Sequence, residues 1–269
     1  DLERADSLKQ KSRNPIVIDK THFKQDVEGY KLPLHKHLYL LNISTQKLDT
    51  LTSGVYDEYA PAWSPDGSKI AFVSNRTPEP DRNSNTDIWL IMAKKGEVPK
   101  RLTDWAGSDD NPKWSPDGKT IAYISSSGNS NFLMYEQSLL KTISGAGGVP
   151  VSHTSVLDRD ISQHNWSPDG TKISFIVSDD RQEYAASVDI KTNNIQIINR
   201  GNYEFVNLKP IGAEKFISIA NFPDRPDEIY AIENNQLRRI TNQQNEFVRG
   251  IIFSVPTGFS SRSKDGAVI

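Results

Sequence analysis

The sequence predicts an all-β protein, a β-propeller built from four-stranded antiparallel blades, and three observations support this prediction. The pentapeptide WSPDG occurs three times, at 63–67, 114–118 and 166–170. Each copy is followed by a lysine and a short apolar run. No window of about eleven residues or more shows the apolar period of an α-helix. A repeat of about 40 to 50 residues is typical of propeller blades.

Each repeat contains four candidate strands. The first ends at the tryptophan, and the later ones are short, rich in Ile, Val, Phe and Tyr, and bounded by turn residues. The strand after each pentapeptide is predicted at 69–74, 119–125 and 172–178. The next is predicted at 87–93, 131–139 and 184–190, and the last at 99–104, 147–154 and 194–200. Four antiparallel strands are the content of one blade.

The repeat divides the chain into about four complete blades, one partial blade and an exit segment. The predicted blades are 16–52 (partial), 53–104, 105–154, 155–200 and 201–246, followed by the exit segment 247–269. In the partial blade, 16–23 is the first of three predicted strands. The last blade keeps Lys215 but has lost the tryptophan and the turn residues. Two interpretations remain open, a five-bladed ring closed by a C-terminal strand and a fragment of a larger propeller.

The pentapeptide is predicted to be structural. Proline sets φ for a type I turn, aspartate tolerates the next position and glycine accepts the left-handed exit. The flat tryptophan ring is expected to pack against a neighbouring blade. The repeated structural residues are Trp63, Pro65, Asp66, Gly67, Trp114, Pro116, Asp117, Gly118, Trp166, Pro168, Asp169 and Gly170.

The repeated serines are not predicted to be nucleophiles. Ser64, Ser115 and Ser167 each precede a proline in a turn and lack the G-x-S-x-G elbow of hydrolases. The segment GFSSR at 258–262 lacks the final glycine of that motif. The sequence therefore predicts no catalytic residue in this chain.

Two candidate metal sites are weak. The candidate calcium ligands, spaced D-x-N-x-N-x-D, are Asp81, Asn83, Asn85 and Asp87. However, Thr86 and Met92 occupy the positions of the required glycine and glutamate. His35 and His37 would share one face of a strand, but no third ligand has matching spacing. We expect a solvated loop and a polar lead-in, with no metal and no cofactor.

Four acidic residues precede the tryptophan-bearing strands: Asp57, Glu58, Asp109 and Asp110. The expectation is that they lie in solvated loops between blades. The alternative is that they lie near the propeller axis, where they would contact the amino terminus of a peptide.

Composition excludes several function classes. Lysine and arginine (32) nearly balance aspartate and glutamate (34), and the net charge of −2 favours neither nucleic acid nor an anionic membrane as partner. No run approaches the roughly 20 apolar residues of a membrane-spanning helix. The absence of cysteine excludes disulfides, cysteine zinc sites and thiol catalysis.

The WSPDG units resemble the propeller repeats of TolB-like proteins and of the prolyl oligopeptidase (S9) family of serine peptidases. FKQDVEGY (23–30), the segment 37–67 and IAFVSNR with DIWLI (70–91) look like its acylaminoacyl-peptidase and dipeptidyl-peptidase branch. The segment 236–269 is similar to the passage from the last blade into the hydrolase domain, with SKDG at 263–266 near its first strand.

This resemblance implies that the catalytic triad belongs to an α/β-hydrolase domain following residue 269, which would be this chain's partner in the same polypeptide. No triad residue can be transferred to this sequence. The chain would be inactive alone and would gate the access of short peptides to that domain. The alternative is a stand-alone TolB-like propeller that serves protein–protein binding.

Overall fold

The computed structural model describes residues 17–27, 29–30, 34–126, 136–180, 182–212, 214–254 and 256–268, and these residues are almost entirely strand and turn. All strand pairs are antiparallel, and in most sheets the strands lie side by side in chain order. This is the all-β architecture of four-stranded antiparallel sheets that the sequence predicts.

The N-terminal part forms a short hairpin and a two-stranded sheet. The hairpin consists of β1 (Lys24–Gln25) and β2 (Gly29–Tyr30), and sheet 1 consists of β3 (Tyr39–Leu41) and β4 (Leu48–Thr50). The prediction of a strand at 16–23 is wrong for the described residues 17–23. The backbone N–H groups of Thr21 and His22 donate to the Asp81 carboxylate instead of to a neighbouring strand.

Three four-stranded sheets carry the pentapeptides. Sheet 2 consists of β5 (Tyr59–Trp63), β6 (Lys69–Ser74), β7 (Asp87–Met92) and β8 (Lys100–Arg101). Sheet 3 consists of β9 (Asp109–Trp114), β10 (Thr120–Ser125), β11 (Leu139–Ser144) and β12 (Val151–Ser152). Sheet 4 consists of β13 (Ile161–Trp166), β14 (Lys172–Asp179), β15 (Gln182–Asp189) and β16 (Ile195–Arg200). In each sheet the first strand ends at the tryptophan.

One strand of sheet 3 differs from its prediction. Residues 131–135 of the predicted strand 131–139 lie outside the described residues, and β11 begins only at Leu139. It pairs with β10 in continuous register, from Leu139 opposite Ser125 to Ser144 opposite Thr120. Leu140, Thr142 and Ile143 are buried, Leu140 against sheet 4 and Ile143 against sheet 2, so the segment 139–144 takes the place of the predicted strand.

Sheet 5 completes the β structure. Its strands are β17 (Glu204–Phe205), β18 (Lys209–Pro210), β19 (Lys215–Phe222), β20 (Arg225–Glu233) and β21 (Gln236–Arg239). Both β17 and β18 pair with β19, so the position of the first strand is divided between two short strands. A single β-bridge joins Arg262 and Val268 in the exit segment.

Helices are few among the described residues. A 3-10 helix (Pro80–Arg82) lies in the loop between β6 and β7, and a four-residue helix, α1 (Asn245–Val248), follows sheet 5. Neither has the length and apolar character that spanning a membrane requires.

The hydrophobic core lies between sheets rather than within one. We call the interface of two consecutive sheets a seam. Each of four buried apolar clusters spans one seam; for example, Ile88 of sheet 2 and Tyr123 of sheet 3 belong to the same cluster. Over the described residues the sheets do not close into a ring, so the fold is that of a partial propeller.

Candidate functional site

Each Ser-Pro-Asp-Gly segment is a closed turn whose serine hydroxyl is used structurally. The Gly67 N–H donates to the Ser64 carbonyl at 2.9 Å, and Gly67 has a φ of +69°. The Ser64 hydroxyl donates to Asp66 Oδ1 at 2.6 Å and accepts from the Lys69 N–H at 2.9 Å. The bond from Ser64 lowers the pKa of Asp66 to about 2. The same bonds recur at 115–120 and 167–172.

Two of the three tryptophans link consecutive sheets. The Trp114 indole N–H donates to the Ala62 carbonyl of sheet 2 at 3.1 Å, and that of Trp166 donates to the Lys113 carbonyl of sheet 3 at 2.9 Å. Both side chains are about 9% exposed, whereas Trp63 is 51% exposed. The repeat therefore places the same side chain in two environments.

The turns also touch across the seams. The Pro65 ring lies 3.5 Å from the point where a Cβ on Gly118 would be, and the Pro116 ring lies 3.4 Å from that point on Gly170. The glycine of the pentapeptide thus serves both its left-handed turn and the close approach of the preceding proline. Only the first of these roles is predicted from the sequence.

The first strands of sheets 2, 3 and 4 adjoin one another, and each contains a bulge. The residue three positions before each tryptophan has a left-handed backbone: Ala60, Asn111 and Gln163. Lys113 Nζ donates to the His164 carbonyl at 2.7 Å and to Asn165 Oδ1 at 3.0 Å. Asn165 in turn donates to the Leu208 carbonyl at 2.7 Å. Polar side chains therefore link the first strands from sheet 3 to sheet 5.

His164 lies within this polar link and is fully buried. Neither ring nitrogen makes a hydrogen bond of regular geometry, and burial together with the nearby Lys113 charge lowers the His164 pKa to about 3. The ring is neutral at physiological pH.

A repeated threonine, which sequence reasoning missed, follows the last strand of four sheets and bonds to the strand beside it. Thr52, Thr103, Thr154 and Thr241 each accept, through Oγ1, a backbone N–H from the neighbouring strand or, for Thr52, from the residue just before it. The donors are Leu38, Ile88, Leu140 and Ile229, at 2.8 to 2.9 Å. The threonines at 52, 103 and 154 recur with an interval of 51 residues, and this regularity is visible in the sequence alone.

The expectation of solvated acidic loops is wrong for Glu58 and Asp109, which are buried. The Glu58 carboxylate is compensated: Arg76 donates to it at 2.9 Å, Thr52 at 2.8 Å, and the His37 ring lies 2.8 Å away. The Arg76 guanidinium also stacks over the Trp89 ring at 4.2 Å. Glu58 therefore fastens sheet 1 to sheet 2.

Asp109 holds the equivalent position before Trp114 but has no such compensation. Its side chain is buried, and neither oxygen makes a hydrogen bond of regular geometry. Burial raises its pKa even though the Ser125 and Thr103 hydroxyls lie close by. The nearby Asp87 has its pKa raised to about 6, again by burial, although Arg101 pairs with it at 2.8 Å. At the seam between sheets 2 and 3, burial thus disfavours the charged form of Asp109.

The remaining sequence candidates lie apart from one another. Asp57 accepts from the Lys36 N–H at 2.7 Å and lies 3.4 Å from His35. Asp110 lies on β9, partly buried, and burial raises its pKa. The rings of His35 and His37 are 6.4 Å apart, and each lies beside a different carboxylate.

Three of the four candidate calcium ligands are engaged elsewhere. Asp81 binds the backbone at His22, Asn83 bonds to Asn75 at 2.9 Å, and Asp87 pairs with Arg101. Asn85 donates its backbone N–H to Asn83 Oδ1 at 3.0 Å, and its own side-chain oxygen is buried without a hydrogen bond of regular geometry. Over the described residues, no group of three or more histidine, aspartate or glutamate side chains is placed to hold a metal ion.

A shallow cavity of about 520 Å³ lies beside the β19–β20 turn, lined by Asn221, Phe222, Arg225, Pro226, Asp227, Gln244 and Phe253. The Arg225 guanidinium bonds to Asp224 at 3.0 and 3.1 Å and stacks over the Phe222 ring at 4.8 Å. Its charge is thereby neutralised within its own turn.

Repeated antiparallel sheets joined by tryptophan, proline and glycine contacts define a partial β-propeller of the WSPDG-repeat class. The profile of the TolB beta propeller domain matches residues 33–213, about two thirds of the chain. The chain belongs to this family.

Relatives of known name include peptidases. A protein named dipeptidyl-peptidase 5 from Porphyromonas gingivalis is 25% identical over 175 residues, which is 64% of this chain and 25% of that protein. The uncharacterized peptidase YuxL of Bacillus subtilis is 32% identical over 124 residues, 44% of this chain and 17% of YuxL. The chain thus spans a quarter or less of the length of these curated relatives.

Among solved structures, the Pyrococcus horikoshii acylaminoacyl peptidase matches with a TM-score of 0.70 at 15% identity, covering 94% of this chain and 38% of that one. A putative TolB from Agrobacterium tumefaciens matches with a TM-score of 0.54 at 22% identity, covering 75% and 68%. At these identities the matches establish a shared fold.

The seam contact of Trp114 predicts that the same substitution lowers the free energy of unfolding more at Trp114 than at Trp63. Trp114→Phe removes the indole donor to Ala62 and leaves a cavity, so we expect the free energy of unfolding to fall by about 1 to 3 kcal/mol. Trp63→Phe alters a half-exposed ring and should cost less than about 0.5 kcal/mol. Urea titrations of both variants measure the difference, and equal losses would contradict the assignment of the seam contact.

The buried acids Asp87 and Asp109, at the seam between sheets 2 and 3, predict that the stability of the protein depends on pH. The pKa of Asp87 rises from 3.8 to about 6, and that of Asp109 is also raised. The stability that these two groups contribute is therefore complete below the pKa of the unfolded chain. It is lost as the pH rises through the folded values. Asp109→Asn should therefore raise the thermal midpoint near pH 8, with a gain that shrinks toward about pH 4.

Glu58→Gln is the matched control for this prediction, because it removes the partner of Arg76 and His37. We expect it to lower the free energy of unfolding near pH 8, on the order of 3 kcal/mol. Thermal melts of both variants between about pH 4 and 8 provide the comparison. Destabilisation by Asp109→Asn at high pH would show that its carboxylate is compensated.

Because Asp81, Asn83 and Asp87 are bonded within the protein, we expect no response of the loop 81–87 to chelation. Addition of EDTA or of calcium should leave the thermal midpoint unchanged, since a ligand that binds only the folded state would raise it by several degrees at saturation. A fall in the midpoint with EDTA that calcium restores would reinstate a calcium site. Asp81→Asn would then test whether this loop provides it.

Proposed function

We propose that this chain is the non-catalytic propeller portion of a serine peptidase of the dipeptidyl- or acylaminoacyl-peptidase type. The observation that carries the proposal is the unequal coverage of the peptidase match, with 94% of this chain matched to 38% of the Pyrococcus horikoshii enzyme. The relative named dipeptidyl-peptidase 5 is matched over a similar minor share. The proposed partner is an α/β-hydrolase domain of the same polypeptide, which would supply the triad.

The proposed role is gating of short peptides toward that domain. Packed clusters fill the seams, so a substrate would pass along the first strands rather than between the sheets. Exposed polar residues on these strands, including Asn111 and Gln163, offer hydrogen-bond partners to a peptide backbone. A passage of this kind would admit extended peptides and exclude folded proteins.

The hydrogen bonds of the pentapeptide serines support the proposal that the catalytic residues belong to another domain. Each hydroxyl donates to the aspartate two positions later and accepts from a backbone N–H, as Ser64 does with Asp66 and Lys69. A nucleophilic serine requires a base placed to take its proton, and a carboxylate with a lowered pKa is a poor base at neutral pH.

A second candidate is a TolB-like propeller that binds a protein partner without chemistry. The family match to the TolB beta propeller domain and the similar fold of the Agrobacterium tumefaciens protein favour it. The natural gene distinguishes the two: a reading frame that continues into a G-x-S-x-G segment supports the peptidase, whereas a stop codon soon after position 269 supports the binding propeller.

We predict that the purified 269-residue chain releases no chromophore from aminoacyl or acylaminoacyl p-nitroanilides. The expected rate equals the buffer blank, because none of the pentapeptide serines has a base placed to activate it and the proposed triad belongs to another domain. A Ser64→Ala variant serves as the matched control and should be indistinguishable. Turnover that a serine-directed inhibitor abolishes would overturn the proposal.

A further inference from the structure

The two seams that join sheets 2, 3 and 4 share a pair of contacts. In each, the tryptophan of the following sheet donates to the carbonyl of the residue just before the preceding tryptophan. In each, the proline of the preceding turn rests on the glycine of the following turn, at 3.4 to 3.5 Å. Both contacts come from one element of the preceding sheet, its first two strands and the turn between them. We call this element the inner hairpin.

The seam in front of sheet 2 offers the receiving half of both contacts without a partner. The Trp63 indole N–H meets no acceptor among the described residues, and the ring is 51% exposed. A Cβ on Gly67 would meet nothing within 4 Å, unlike one on Gly118 or Gly170. The same two positions are thus open at one seam and filled at two.

Sheet 1 shows which element this seam lacks. The Leu38 N–H donates to Thr52 Oγ1 as the Ile88 N–H does to Thr103, which identifies β3 and β4 as counterparts of β7 and β8. Sheet 1 therefore has the third and fourth strands of a blade, and no described strand pairs with the other edge of β3. Tyr39 and Leu41 are each more than half exposed on this strand. An apolar, unpaired edge of this kind accepts an added strand.

We infer that this surface binds a further segment of the same polypeptide, folded as the inner hairpin that the blade of sheet 1 lacks. Its first strand would present a carbonyl to the Trp63 indole, a proline in its turn would rest on Gly67, and its second strand would pair with β3. The inference comes from the continuity of the seam contacts. It holds whether the propeller serves a peptidase or binds a protein by itself.

The C-terminal turn is the competing occupant within the described chain, and its chemistry fits less well. The Ser263 hydroxyl bonds to Asp265, and the Gly266 N–H donates to the Ser263 carbonyl at 3.0 Å, as in the pentapeptide turns. However, Lys264 stands where the proline would be, so the contact with Gly67 is lost. The bridge between Arg262 and Val268 is a single pair rather than a strand.

The experiment adds an inner hairpin to the chain and measures the exchange of the Trp63 indole N–H. A copy of residues 107–126, the inner hairpin of sheet 3 with its flanking residues, is fused ahead of residue 1 through a flexible Gly/Ser linker, which gives an effective concentration in the millimolar range. Hydrogen exchange of the Trp63 indole N–H is measured by NMR, with its signal assigned by Trp63→Phe. Trp114 and Trp166 report in the same spectrum that the chain is folded.

We expect the added hairpin to slow exchange of the Trp63 indole by about tenfold or more. The matched control is a fusion in which the copied hairpin has its proline replaced, Pro116→Ala, and it should protect less. A fusion with the hairpin sequence scrambled should not protect. Exchange that is unchanged by the intact hairpin, or slowed equally by the scrambled one, overturns the inference.

Two outcomes in the unfused chain would reassign the surface. Protection of Trp63 that grows with protein concentration would identify a second copy as the occupant. Protection at all concentrations that disappears when residues 249–269 are deleted would identify the C-terminal turn. Either result overturns the assignment to an inner hairpin that completes the blade of sheet 1.

Discussion

The structure depends on the contact between one sheet and the next, made at the corner where the first strand turns into the second. The indole of Trp114 donates across the seam to Ala62, and the Pro65 ring rests on Gly118. A four-stranded sheet this small buries little by itself, since the apolar clusters span two sheets each. The pentapeptide therefore specifies how neighbouring sheets pack as well as how one hairpin turns, and its spacing of about 51 residues follows from one corner per sheet.

Equivalent seams do not contain equivalent chemistry. Glu58 and Asp109 both lie five residues before a tryptophan and both are buried. Glu58 receives Arg76 and His37, so its charge is compensated, whereas Asp109 lies close to the Asp87 and Arg101 pair. A buried charge without a partner is costly, and the raised pKa of Asp109 is the form that this cost takes. Divergence among blades thus lies in the polar seam positions, while the corner residues keep the geometry constant.

The sequence predicted the corners and the strands after them, because turn residues and alternating apolar residues act locally. The strand at 69–74 was predicted to the residue, and the blades with the pentapeptide all have four strands. The failures have non-local causes. Thr21 and His22 donate to Asp81, some 60 residues away, so a run that looked like a strand has no ladder. The burial of Glu58 and Asp109 follows from the sheet in front of each, which composition and spacing do not show. The threonine at 52, 103 and 154 was within reach of the repeat but was overlooked beside the stronger tryptophan pattern.

The hydroxyls and carboxylates of the repeat are used mainly to hold the corners and seams together. Ser64 is bonded to Asp66 and Lys69, and Thr52 links the Leu38 backbone to Glu58. A side chain that holds a turn or a seam in this way cannot also move a proton or attack a substrate without loosening the packing it supports. What the scaffold leaves available for recognition is the exposed polar surface of the first strands, where Asn111 and Gln163 occupy bulges with left-handed backbones. Bulges re-aim side chains locally while the ladder on either side stays paired, so these positions can change without altering the seams. Recognition at the first strands, combined with chemistry supplied by another domain, is the division of labour that the proposed function assigns to this scaffold.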